Sequence, residues 1–206
     1  MPYIVVSGER LFFLRRSAGG DDAPCLALLH GAGGNALLWG RVLNVLPGTN
    51  AIAPDLPGHG RSGGAGRSTI GAYGDSVLGL AEALHLNDLV VAGHSMGGAI
   101  ALELALRAPE RVRALILLSV TARLAVAPNL LQQLAEDPAG AREWIIANGY
   151  GPQTPTRSRE LGARQLAGVP PQVLQADFVA CGGFDVRSRL SEVRCPALVL
   201  CGSEDR

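Results

Sequence analysis

Leu89-Val90-Val91-Ala92-Gly93-His94-Ser95-Met96-Gly97-Gly98 is the stretch whose reading decides the fold. A Val-rich apolar run passes straight into Gly-x-Ser-x-Gly, a helical pattern follows over residues 99–108, and Pro109 stops it. Strand, sharp turn, helix is the setting in which such a serine is a candidate nucleophile rather than a chance match. The reason is steric. Ser95 would sit in a strained turn that lifts its hydroxyl clear of the sheet, packed too tightly for a Cβ at Gly93 or Gly97. The following helix would aim free N–H groups and its positive dipole end at the same place. The plain alternative is a glycine-rich turn with a satisfied serine.

Working toward the N-terminus, residues 69–84 carry Ile70, Tyr73, Val77, Leu80, Ala81 and Leu84 at helical spacing, with Ser68 or Thr69 as cap. Before them, residues 50–55 read as a strand that exits through Leu56-Pro57-Gly58-His59-Gly60-Arg61-Ser62. A short helix over residues 37–46 ends at Pro47-Gly48. Cys25-Leu26-Ala27-Leu28-Leu29 is continuously apolar, as a strand buried on both faces is, and leads into His30-Gly31-Ala32-Gly33-Gly34. Residues 3–6 and 11–15 form a hairpin pattern.

Working toward the C-terminus, residues 113–118 are another strand. Strands and helices thus alternate from Cys25 to Leu118, which implies a mostly parallel sheet with helices on both faces, an α/β architecture. The alternation breaks over residues 120–193, where helical patches (130–135, 139–147, 171–181) are separated by Pro and Gly turns. This reads as a helical cap insertion in a single domain of residues 1–206. Residues 194–201 return to a buried strand, followed by Gly202-Ser203-Glu204-Asp205-Arg206.

Composition excludes several function classes. The 206 residues are 48% hydrophobic with formal net charge zero, which favours a large core and argues against nucleic acid or a membrane surface as partner. No apolar run reaches membrane-spanning length, and the first residues, lacking a basic segment followed by a long apolar one, are not expected to act as a signal peptide. Cys25, Cys181, Cys195 and Cys201 show no Cys-x-x-Cys spacing, which fits reduced, buried thiols in a cytoplasmic protein. No His/Cys/Asp cluster has metal-ligand spacing, and Gly31 to Gly34 lacks the Lys-Ser/Thr of a phosphate loop, so no metal or cofactor is expected. Asp75, Asp88 and Glu103 read as solvated or structural. The sequence says nothing of oligomeric state.

Three ordered motifs, His30-Gly31-Ala32-Gly33-Gly34, Pro54-Asp55-Leu56-Pro57-Gly58-His59-Gly60-Arg61-Ser62 and Gly93-His94-Ser95-Met96-Gly97-Gly98, resemble those of the α/β-hydrolase superfamily. Pro196-Ala197-Leu198-Val199-Leu200-Cys201-Gly202-Ser203-Glu204-Asp205 looks like the family's seventh strand and acid turn. The resemblance implies Ser95 as nucleophile, the backbone N–H groups of Ala32 and Met96 as oxyanion hole, and Asp205 as triad acid. The position after residue 118, where the family can also place its acid, reads Ser119-Val120-Thr121-Ala122 and holds no carboxylate. A serine at position 95 argues against the dehalogenase and epoxide hydrolase branches, which use aspartate there.

Histidine is where the chain departs from the family. The triad base follows the acid in chain order, and Asp205 is the penultimate residue. His30 reads as a brace for the oxyanion loop, His59 as structural, His85 as a helix C-terminal residue, and His94 as pointing away from Ser95. The expectation is a C-terminally truncated, weakly active chain. By resemblance it lacks an eighth strand, the histidine loop and a last helix, on the order of 50 residues. The expected activity is serine-dependent hydrolysis of a small ester or related acyl compound. Perhydrolase, enol-lactonase and carbon–carbon hydrolase chemistry stay open, as does a non-catalytic ligand-binding protein of the same fold. Trp144, Phe178 and Phe184 could wall an apolar pocket or belong to core.

Overall fold

The computed structural model describes residues 2–18, 20 and 23–205. A seven-stranded sheet is built from β1 (Tyr3–Val6), β2 (Glu9–Arg16), β3 (Cys25–Leu29), β4 (Asn50–Pro54), β5 (Leu89–His94), β6 (Val112–Leu118) and β7 (Ala197–Leu200). Their order across the sheet is β1-β2-β4-β3-β5-β6-β7. β1 and β2 pair antiparallel, β2 joins β4 antiparallel, and every pairing from β4 onward is parallel. A mostly parallel sheet with helices on both faces is therefore what the chain forms.

Side-chain alternation explains why both faces are covered. In β3, Cys25, Ala27 and Leu29 join one core while Leu26 and Leu28 join the other. The first core receives α2 (Ile70–Ala83) and α3 (Met96–Arg107). The second is closed by a 3₁₀ turn (Ala36–Trp39) and α1 (Gly40–Val45), through Trp39 and Leu43. Thr69 caps α2 by accepting the Ala72 N–H at 3.2 Å, and its buried residues Ile70, Tyr73, Val77, Leu80 and Ala81 follow the helical period.

Between β6 and β7 the chain runs through α4 (Leu130–Glu136), α5 (Pro138–Asn148), α6 (Thr156–Ala167) and α7 (Pro171–Gly182). These helices bury a cluster of their own: Leu130, Leu134, Ala141, Leu166, Val169, Val173 and Leu174. The distal end of α7 instead feeds Ala180 and Cys181 into the main core.

Several expectations need correction. α6 was not expected; its sequence is mostly polar and Leu166 is its one buried residue. α3 begins at Met96 rather than 99, directly on the turn. β7 is exposed along its whole length, not buried, because it forms the sheet edge with β6 on one side. Cys201 is exposed with it, whereas Cys25 and Cys181 are buried. Phe184 packs in the main core and Trp144 is exposed, so neither walls a pocket beside Ser95.

Candidate active site

Parallel register aligns the carboxyl ends of the central strands. Leu29 pairs with Gly93, His94 with Leu118, and Leu118 with Leu200. The residues that follow these strands, His30-Gly31-Ala32 after β3, Ser95 after β5, and the turn carrying Asp205 after β7, therefore gather along one edge, where α/β sheets bind ligands.

Ser95 has φ 52° and ψ −119°, a positive-φ conformation that few non-glycine residues adopt. Its N–H donates to Leu118 O at 3.0 Å, and its carbonyl accepts from Gly98 at 2.8 Å, so both sides of the turn are pinned. The glycines are required by contact. A Cβ on Gly93 would lie 2.1 Å from Gly97 O, and one on Gly97 would lie 2.3 Å from Leu29 O. Met96 is the first residue of α3, so its N–H is among those with no partner inside the helix.

The loop after β3 closes on Ser95 from the other side. A Cβ on Gly31 would stand 3.3 Å from Ser95 Cβ and 3.1 Å from His94 Nδ1. Ala32 follows in this loop, partly buried against the main core. The loop is braced at several points. Gly34 N–H donates to Gly31 O at 2.9 Å, and Asp55 accepts the N–H of Ala36 at 2.6 Å and of Arg61 at 2.8 Å. The motif that follows β4 is thus scaffolding. Gly60 at φ +52° leaves room for the Asp55 carboxylate, and Ser62 Oγ donates to Asp55 O at 2.6 Å.

His30 and His59 are fully buried with ring centroids 4.9 Å apart. Their hydrogen bonds assign their charges. His30 Nε2 accepts the Leu56 N–H at 3.1 Å, so Nδ1 carries the proton and donates to Gly31 O at 2.9 Å; the ring is neutral. Burial, reinforced by the charge on His59, holds His30 down at about 3. His59 faces acceptors at both nitrogens, Pro57 O at 3.1 Å and Asp177 Oδ2 at 2.8 Å, so both donate and the ring is an imidazolium. Burial opposes that charge, but the hydrogen bond and charge of Asp177 outweigh it and raise His59 above its ordinary value.

Asp177 was absent from the sequence-derived site. It lies on α7, fully buried, and also accepts from Tyr73 Oη and from Gly33 N–H, the latter at 2.8 Å. A signal existed. Val173, Leu174, Ala180 and Cys181 are buried at its i−4, i−3, i+3 and i+4 positions, so an acid stands on an apolar stripe.

Asp205 lies in the exposed turn after β7, its N–H on Gly202 O at 3.2 Å and its Oδ2 accepting Cys201 Sγ–H at 3.5 Å. Burial lowers the His94 imidazole, and the charge of Asp205 pulls it partly back up. His85 follows α2 and precedes β5, at the opposite end of that strand from Ser95. With His30 and His59 committed elsewhere, the described residues bring Ser95 and the loop after β3 together, with the Asp205 turn following β7 on the same edge of the sheet. An open cleft of about 250 Å³, lined in part by Ser68, Glu103, Phe184 and Arg189, shares none of these residues. Among the described residues, no helix is long and apolar enough to cross a membrane.

The family described as "alpha/beta hydrolase fold" matches residues 24–171, and the chain belongs to it. Lipase LipV of Mycobacterium tuberculosis is 34% identical, over 77% of this chain and 58% of its own length. A pimeloyl-(acyl-carrier protein) methyl ester esterase of Pectobacterium carotovorum is 32% identical, over 95% of this chain and 80% of its own. A hydrolase of Pseudomonas aeruginosa superposes with TM-score 0.86 at 27% identity, covering 97% of this chain and 79% of that one. The chain thus spans little more than half the length of the first relative and about four-fifths of the other two. Relatives of this chain are esterases, lipases and other hydrolases.

Proposed function

We propose that the chain carries most of a serine esterase acting on a small carboxylic ester. The observation that carries this is the backbone of Ser95: a strained, positive-φ serine at the head of α3, framed by two glycines that admit no Cβ. Strain of this kind persists only where surrounding structure enforces it, and it lifts the hydroxyl off the sheet edge toward solvent. Ser95 Oγ attacks the ester carbonyl, and the developing oxyanion is held by the N–H groups of Met96 and Ala32. The alcohol leaves, and water then cleaves the acyl-enzyme.

A histidine from outside these 206 residues takes the serine proton, oriented by Asp205. Three of the four histidines support the reading: His30 and His59 have both ring nitrogens occupied, and His85 lies at the far end of β5. Helices α4–α7, within the segment 120–193, cap the site and select the acyl group. The four free cysteines support a cytoplasmic setting. The named activities of the esterase and lipase relatives point to the same bond class.

The test is covalent. A fluorophosphonate probe, incubated with the full product of the gene, should add one phosphonyl group to the peptide that contains Ser95. Labelling of another serine, or none while ester hydrolysis proceeds, would overturn the assignment.

A further inference from the structure

Asp177 is a buried acid that joins the helical segment to the loop beside Ser95. Its Oδ2 accepts the Gly33 N–H at 2.8 Å and the His59 Nε2–H at 2.8 Å, while Oδ1 accepts the Tyr73 hydroxyl. The Gly33 N–H belongs to the peptide between Ala32 and Gly33, so this bond fixes the plane on one side of Ala32. Gly33 has φ +64°, and its Cα is wedged against the helices: a Cβ there would meet Leu166 at 2.5 Å and Leu174 at 3.0 Å. A side chain at that φ would be strained and would press on the ends of those two leucines, and glycine alone does not hold a peptide plane.

We propose that Asp177 is a positioning residue for the oxyanion loop, carried on α7 and aiming the Ala32 N–H through its bond to Gly33. This rests on Ala32 being an oxyanion donor. The two carboxylate oxygens divide the work. Oδ2 holds the loop and is charge-matched by His59; Oδ1 ties α7 to α2 through Tyr73. Because Asp177 belongs to the helices that cover the sheet edge, a shift of α7 on substrate binding moves the Gly33 peptide with it. The positions of Val173 and Ala176, whose atoms lie about 3 Å from any Cβ placed on Gly58 or Gly66, show that α7 is seated directly on the turn that carries His59.

The test compares Asp177→Asn, Asp177→Ala and Tyr73→Phe in the full gene product. Asn keeps the shape and one acceptor oxygen; Ala removes both. Amide hydrogen exchange at Gly33, read by NMR, reports the bond whether or not the protein is an esterase. It should speed up at least about tenfold in Asp177→Ala, less in Asp177→Asn, and little in Tyr73→Phe. On p-nitrophenyl acetate, Asp177→Ala should lose about 10- to 100-fold in kcat with KM within about threefold, as expected for an interaction made in the transition state. Asp177→Asn should recover part of that loss, and Tyr73→Phe should lower Tm with kcat within about twofold. A fall in Tm alone, with Gly33 exchange and kcat unchanged in both Asp177 variants, would overturn the inference. If Asp177→Ala does not fold, Asp177→Asn decides it by the same two readouts. Should ester hydrolysis survive Ser95→Ala, the esterase reading fails instead, and Gly33 exchange alone decides whether Asp177 holds the loop.

Discussion

Gly93 and Gly97 are in backbone contact across the turn that holds Ser95: a Cβ on the first would sit 2.1 Å from the carbonyl oxygen of the second. Gly97 in turn lies against Leu29 O, so β3, β5 and α3 meet with no side chain between them. Gly97→Val should therefore force the backbone apart. We expect a loss upward of about 2 kcal/mol, or roughly 4–8 °C in Tm for a chain of this size, with fluorophosphonate labelling abolished. Normal labelling at an unchanged Tm would show that the turn does not need its glycine.

The two buried histidines set opposite limbs of the pH–stability curve. His30 is lowered to about 3, so between about pH 3 and its ordinary 6.5 the unfolded chain binds the extra proton; its contribution is full above about 6.5 and is lost as pH falls. His59 is raised, so its contribution is full below about 6.5 and fades as pH climbs through its higher folded value. The groups that face the pair are Asp177, Tyr73, Asp55 and each other, with His94 near His30. Urea denaturation across pH 4–9 should show His30→Asn flattening the acid limb by up to about 1.4 kcal/mol per pH unit, and His59→Gln flattening the alkaline limb. Parallel curves for wild type and both variants would contradict the assigned protonation states.

The edge strand β7 exposes Leu198, Val199 and Leu200 at 52%, 61% and 47%. An apolar edge with unpaired backbone groups is a template for pairing with another chain. The 206-residue chain should elute from size exclusion well above its 21.4 kDa mass at high concentration, and Val199→Lys should return it toward monomer. A clean monomer without the substitution would refute this.

Much of this was legible in the sequence, and the reasons are local. The β3 run Cys25–Leu29 announces a doubly covered strand because every position is apolar. The Gly93–Gly97 spacing announces the elbow because two glycines four apart answer one steric demand. The apolar stripe around Asp177 marks it as buried, but its role was not legible because its partners His59 and Gly33 lie 118 and 144 residues away and the stripe names neither. α6 was missed because its surface is nearly all polar. The exposure of β7 was missed because an apolar run has the same sequence whether or not something covers it.

The central claim is that Ser95 is the nucleophile, and ester hydrolysis by Ser95→Ala tests it most directly. With the full gene product on p-nitrophenyl acetate, the substitution should lower kcat by more than about 10³-fold while leaving Tm unchanged or higher, since it relieves a non-glycine residue of nothing but its hydroxyl. Retention of wild-type turnover in Ser95→Ala would contradict it.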